Sequence, residues 1–353
     1  HRDLHSFPTR RSSDLIVPYP FTFATIPSGS VDNTSIYNVT LVNAYQGIKS
    51  GPHSNELHTL RNIYGTPLKC GIWVDTCTDI GRQIHVDFAP HYWVESGLPG
   101  APESPSAVAA LEDWLLHEAI GVDMGRSDWE YIYDVHITGY QQGFKFRSGQ
   151  AGTTNAVMFG CETKGCDIGI QLDALNGIGL SVTASKLEGL TAAVRGMPSF
   201  DTTAQFHTTE LTSPTGACVL LEGRGLLSFQ HCTFDAWEEL ALDAPAGQVN
   251  ALDCDFNQRG LAIRLGADVL RARILSNRFA GEPVVVNFSE GDIEIAHTPI
   301  EFEVPSPKLQ PVIPDPRPAT SKLFVVTEYG ALSGGADCTA AFQRALEEAS
   351  AAG

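Results

Sequence analysis

The chain has 353 residues, enough for a large buried core, and 43% of them are hydrophobic. Its formal charge is −18, with 41 acidic against 23 basic residues, which excludes a nucleic-acid surface built on clustered Lys and Arg and disfavours a polyanionic substrate. No apolar run reaches the roughly 18 residues of a membrane span, and the eight cysteines show no paired CxxC spacing for a metal.

Residues 1–15 stand apart. The run from His5 to Leu15, HSFPTRRSSDL, is basic in an acidic chain and has no periodicity. It resembles the conceptual translation of a common DNA-sequencing adapter, and it is excluded from fold reasoning as an artefact would be. The rest is then expected to be a fragment of a longer reading frame whose natural start is missing.

From residue 16 the chain repeats itself. Gly47-Ile48 recurs as Gly71-Ile72, 24 residues on, and Gly143-Phe144 follows Gly71 by 72, which is three repeats. Between them lies an interruption. Ser104-Pro105 offers a helix N-cap with Pro at the first position. Val108, Leu111, Leu115 and Ile120 then fall near one face, and Gly121 reads as the stop, so a helix is predicted over 104–121. A helix inserted among short strands must lie outside them, where it can wall a groove.

Aromatic and charged residues gather around this insertion. Tyr92, Trp93, Trp114, Trp129, Tyr131 and Tyr133 alternate with Asp87, His91, Glu95, Asp123, Arg126, Asp128, Glu130 and Asp134. Sugars offer flat C–H faces to aromatic rings and hydroxyls to charged acceptors, so this composition suits a carbohydrate. The same aromatics also suit a second role, pinning the helix to the strands. Asp128 and Glu130 are two apart and would share a face of a strand. With Asp123 and Glu95 they are the catalytic candidates, because glycoside hydrolysis needs two carboxyl groups. His91, Tyr92, Trp93, Arg126 and Trp129 are the candidate substrate-binding residues.

The clearest repeat runs from Thr153 to Asp292. Cys161, Ser185, Thr209, Cys232, Cys254 and Asn277 are spaced 24, 24, 23, 22 and 23. Two or three places after them come Leu187, Leu211, Phe234, Phe256 and Phe279, followed in each unit by a short, often β-branched apolar run. Short runs broken by Gly, Asn, Asp and Ser are strands and turns rather than helices. A unit of this length holding short strands and bends predicts a right-handed parallel β-helix over 16–304, with Cys161 and its equivalents stacked as an inward ladder. Most cysteines are then buried core residues.

Pro305, Pro307, Pro311, Pro314, Pro316 and Pro318 end the repeat and make 305–322 a stiff linker. A strand is expected from Leu323 to Ala331. A capped helix is expected after Asp337 or Thr339, with Phe342, Ala345, Leu346 and Ala349 on one face.

This ending, in Tyr329, Gly330, Ala331, Asp337, Thr339, Ala341, Gln343 and Ala345, resembles the opening of the pectate-lyase-3-type domain of the pectin-lyase-like superfamily. It departs from that pattern at Gly334 and Cys338, where acidic residues are usual. Residues 323–353 would be the truncated start of a second β-helix. Two β-helices in tandem resemble the family 55 glycoside hydrolases. The resemblance implies a secreted, carbohydrate-active protein whose partners are a polysaccharide and that second domain, and it transfers no catalytic residue. The leading expectation is hydrolysis of a neutral glucan by carboxylate acid–base chemistry without a cofactor. A polysaccharide lyase with a basic residue and calcium is the second, and a non-catalytic glycan-binding or tailspike-like β-helix the third.

Overall fold

The computed structural model describes residues 21–24, 31–296, 324–332 and 337–351. The adapter-like segment 1–15 and the proline-rich linker 305–322 lie outside them. The chain falls into two units, His1–Pro305 and Ser306–Gly353.

The first unit is a right-handed parallel β-helix of about 11 turns. Each strand pairs in parallel with its counterparts one coil before and one coil after. Gln142–Phe146, for example, lies between Ile120–Met124 and the end of Glu162–Leu172. One residue per coil turns the chain by adopting a positive φ. Asn38, Asn62, His85, Asp134, Gly160, Ala184, Thr208, His231, Asp253 and Ser276 form this corner column, with φ between 47° and 62°. Asn, Asp and Gly tolerate that conformation, whereas Ala184 and Thr208 are held in it by the stack.

The residue after each corner points inward. Cys161, Ser185, Thr209, Cys232, Cys254 and Asn277 are all buried, so the ladder expected from the spacing is present. Its polar members are satisfied by corner backbone. Ser185 Oγ accepts from Cys161 N and donates to the Thr183 carbonyl, while Asn277 accepts from Cys254 N and donates to the Ala251 carbonyl. That is how Ser, Thr and Asn fit an apolar interior without desolvation cost. Seven cysteines are buried and all eight are free thiols. Burial pushes Cys161, Cys166 and Cys218 up to about 12, so they behave as small hydrophobes.

Beside the ladder, Leu187, Leu211, Phe234, Phe256 and Phe279 occupy one register position on successive coils. Phe234 stacks on Phe256 at 4.6 Å and Phe256 on Phe279 at 4.8 Å, one strand spacing each. A second column explains the repeated Gly-Ile. Gly47, Gly71, Gly121, Gly143 and Gly169 stack so closely that a Cβ on any of them would lie 2.3–2.7 Å from the carbonyl of the next coil. Gly121 is therefore a strand residue in this column, not a helix stop. The helix ends at Glu118, and Ala119 is already extended.

The interruption is an excursion from one coil. Residues 66–69 join two strands of one coil, and residues 89–119 fill the equivalent place in the next. The excursion carries two helices, α1 (His91–Val94) and α2 (Pro105–Glu118). Ser104 caps α2 by accepting from Ala107 N. Leu111 and Leu115 are fully buried against the coil, and Trp114 Nε1 donates to the Leu68 carbonyl at 2.7 Å. Ile120, expected on the helix, opens the following strand. Removing the cap in Ser104→Ala is expected to cost about 1 kcal/mol of local stability, seen as faster amide hydrogen exchange confined to the first turns of α2.

In the second unit, a 3-10 turn at Val326–Tyr329 stands where a strand was expected. The helix α3 (Thr339–Ala351) follows, and Thr339 N donates to the Asp337 carboxylate that caps it. Tyr329 OH donates to Glu348 and Arg344 to the Tyr329 carbonyl, tying turn to helix.

Candidate active site

The excursion roofs one sheet of the β-helix and leaves a cleft of about 530 Å³. Its floor is a column of outward residues just past the corner. His136 pairs with Asp87 on the preceding coil and with Glu162 on the following one. Inward Val86, Phe88, Val135 and Ile137 alternate with them in the core, which fixes Asp87 and His136 outward. Lys164 and Thr138 form the next row of the floor. His91 and Val94 from α1 and Glu95 just after it, with Val108 and Glu112 from α2, make the wall.

Three contacts organise this floor. Tyr92 OH donates to Asp87 Oδ2 at 2.8 Å. Burial and that contact push the Tyr92 phenol above its ordinary range, so it stays a donor. Asp134, on the corner, is bonded to two imidazoles, His136 Nε2 at 3.0 Å and His85 Nδ1 at 2.5 Å. The hydrogen bond from His136 holds Asp134 below the usual carboxylate range, and Asp134 in turn raises His136. His136 therefore keeps its positive charge to higher pH than an ordinary histidine. The floor is then a histidine with a carboxyl group on the coil to either side.

The nine residues singled out in sequence do not converge. Glu95 and His91 line the cleft. Tyr92 borders it, stacking near His91 at 4.2 Å and Tyr64 at 6.0 Å. Trp93 is buried and its backbone N–H donates to Thr66 Oγ1, so it pins α1 to the coil. Asp123 lies on a different sheet, bonded by Arg147 at 2.7 Å; burial raises it although the guanidinium opposes this. Asp128 is paired with Arg126 at 2.8 Å near the surface. Glu130 is fully buried inside the coil, and Trp129 is 43% exposed. Asp128 and Glu130 do not share a face because Trp129, between them, has φ 64° and the strand begins only at Glu130. One positive φ reverses the parity on which the i, i+2 expectation rested.

The sequence reading passed over His136, Glu162, Lys164 and Glu112. Asp87, His136 and Glu162 are separated by 49 and 26 residues, one interval swollen by the excursion. Counting from the corner residues His85, Asp134 and Gly160 would have aligned them.

No family model, curated protein or solved structure matches the chain. Among the described residues, no three His, Cys, Asp or Glu side chains are grouped to hold a metal ion, and no helix is long and apolar enough to cross a membrane.

Proposed function

We propose that the cleft beneath α2 binds a polysaccharide and that Asp87 and Glu162 hydrolyse its glycosidic bonds, in a protein that is secreted. The observation that carries this is the placement of the two carboxyl groups one coil on either side of His136. Two strand spacings put their backbones about 9.6 Å apart, with side chains pointing the same way. That leaves room for a water beside the sugar, near the upper end of the range used for inverting hydrolysis.

Tyr92 donates to Asp87 and fixes its carboxyl group in place, and Asp87 is assigned the base that activates water. The Glu162 carboxyl accepts no hydrogen bond among the described residues, and Glu162 is assigned the acid that protonates the leaving oxygen. His136 Nδ1, free of Asp134, donates to a sugar hydroxyl, and the Tyr64–Tyr92–His91 group offers ring faces to a neighbouring sugar. The formal charge of −18 favours a neutral glucan. The resemblance at Tyr329–Ala345 to the pectin-lyase-like superfamily supports a carbohydrate substrate, and hydrolysis by two carboxyl groups requires no cofactor. Lys164 on the floor favours one second reading, a lyase in which its amine abstracts the proton beside a uronate carboxylate.

The test incubates the chain with laminarin, xylan and polygalacturonate. New reducing ends from laminarin are expected, released with the opposite anomeric configuration by early proton NMR. An ultraviolet-absorbing unsaturated product from polygalacturonate would replace hydrolysis with elimination. Saturable binding of laminarin with no product would reduce the cleft to a binding site.

A further inference from the structure

We infer that Arg61 and Arg82, framed by Tyr37 and Tyr131, form a second binding surface that takes the carboxylate of an acidic sugar residue. The starting point is a contrast among the arginines. Arg126, Arg147, Arg195, Arg264, Arg273 and Arg278 each hold a carboxylate, as expected in a chain of charge −18. Arg61, Arg82, Arg224, Arg259 and Arg344 hold none among the described residues, and of these five only Arg61 and Arg82 lie on strands, which pair with each other. Arg61 Nε is moreover buried with no acceptor. A buried donor of a charged group left unpaired is costly, and an acceptor from outside removes that cost.

The fold puts the two guanidinium groups together. Arg61 follows the inward Leu60 and Arg82 precedes the inward Gln83, so both point outward. Arg61 pairs with Tyr37 on one side and Ile84 on the other, and Arg82 pairs with Thr59 and Tyr131. The arginines are thus diagonal neighbours on adjacent coils, about 8 Å apart at the backbone. Tyr37 is 50% and Tyr131 41% exposed, so ring surface borders both cations.

This combination selects a ligand class. A guanidinium fork matches a planar carboxylate with two parallel hydrogen bonds. Tyrosine rings accept the C–H faces of a sugar. The surrounding negative field repels a dense polyanion such as a nucleic acid. Sparse carboxylates on an otherwise uncharged glycan satisfy all three conditions. The surface lies on the other side of the corner column from the cleft. Arg61 and Arg82 precede Asn62 and His85, whereas Tyr64 and Asp87 follow them. It therefore stands or falls independently of the cleft.

The test titrates the chain calorimetrically with a galacturonate disaccharide, the matching neutral galactose disaccharide, and inorganic phosphate. The uronate is expected to bind in a salt-dependent manner, and the neutral sugar and phosphate much more weakly. Arg61→Met and Arg82→Met, which keep the aliphatic stems, are each expected to weaken uronate binding about tenfold or more. The urea denaturation midpoint should be unchanged in both variants, which reports that they are folded whatever the cleft binds. No uronate binding, binding untouched by both substitutions, or phosphate binding as tightly as the uronate would each overturn the assignment.

Discussion

Glu130→Ala is expected to destabilise the β-helix by about 3–5 kcal/mol, the largest loss from any single charged side chain in it. Glu130 is fully buried and accepts three hydrogen bonds, from His58 at 3.1 Å, Gln83 at 2.9 Å and Ser127 at 2.6 Å. His58 also meets Ser50 Oγ at 3.4 Å and is itself buried. The glycine at position 81 makes room for the pair, since a Cβ there would collide with both side chains. Burial alone would pull His58 down, but the Glu130 carboxylate together with Cys77 outweighs it and raises His58 to about 10. Burial alone would raise Glu130, and His58 with the other donors reverses that and lowers it.

The pH dependence follows from these directions. The His58 contribution is complete below the ordinary histidine value and is lost as pH rises toward about 10. The Glu130 contribution is complete above the ordinary carboxylate range and is lost as pH falls below it. Wild-type stability should therefore be flat between the two and decline on either side. In Glu130→Ala the alkaline decline should flatten, while stability should now fall as pH drops through the ordinary histidine value, because burial without its partner carboxylate disfavours charged His58. Urea denaturation midpoints across pH measure this, and a double His58→Leu/Glu130→Leu variant should lose less than the single one because no charge is stranded. A Glu130→Ala midpoint equal to wild type at neutral pH would refute the role given to the pair.

Glu162→Gln and Asp87→Asn are each expected to lower the hydrolysis rate by about 10²–10⁴-fold, the usual share of a general acid or base. Both amides keep the shape and hydrogen-bonding capacity of the side chain, so KM for laminarin should change little and the loss should sit in kcat. The two variants should differ in one respect. With a substrate carrying an activated leaving group, which needs no protonation, Glu162→Gln should recover much of its rate and Asp87→Asn should not. Recovery in the opposite pattern would exchange the two roles. Full activity in either variant would remove that residue from the chemistry.

The period of the chain was legible because a β-helix repeats its environment: Cys161, Ser185, Thr209, Cys232, Cys254 and Asn277 meet the same corner backbone, so each is small. The capped helix was legible from Ser104-Pro105, and so was its position outside the coils. The carboxylates were harder. A charged residue carries no periodic signature, and its neighbours lie a whole coil away in sequence. Parity then decides between core and surface, and a positive φ at Trp129 inverted it, sending Glu130 to the interior. The strand expected near Leu323 failed for a related reason. A short apolar run is compatible with either a strand or a turn of 3-10 helix, and only its neighbours choose between them.

The excursion at 89–119 leaves the stack after Phe88 and rejoins it at Ile120 on the same coil. Its two ends are thus fixed by ladders that pass on either side of it, and the coils below and above keep their register whatever lies between. The roof is in effect a replaceable cassette on a standing frame. Lengthening, shortening or exchanging it would reshape the cleft, while Asp87, His136 and Glu162 stay where the strands hold them.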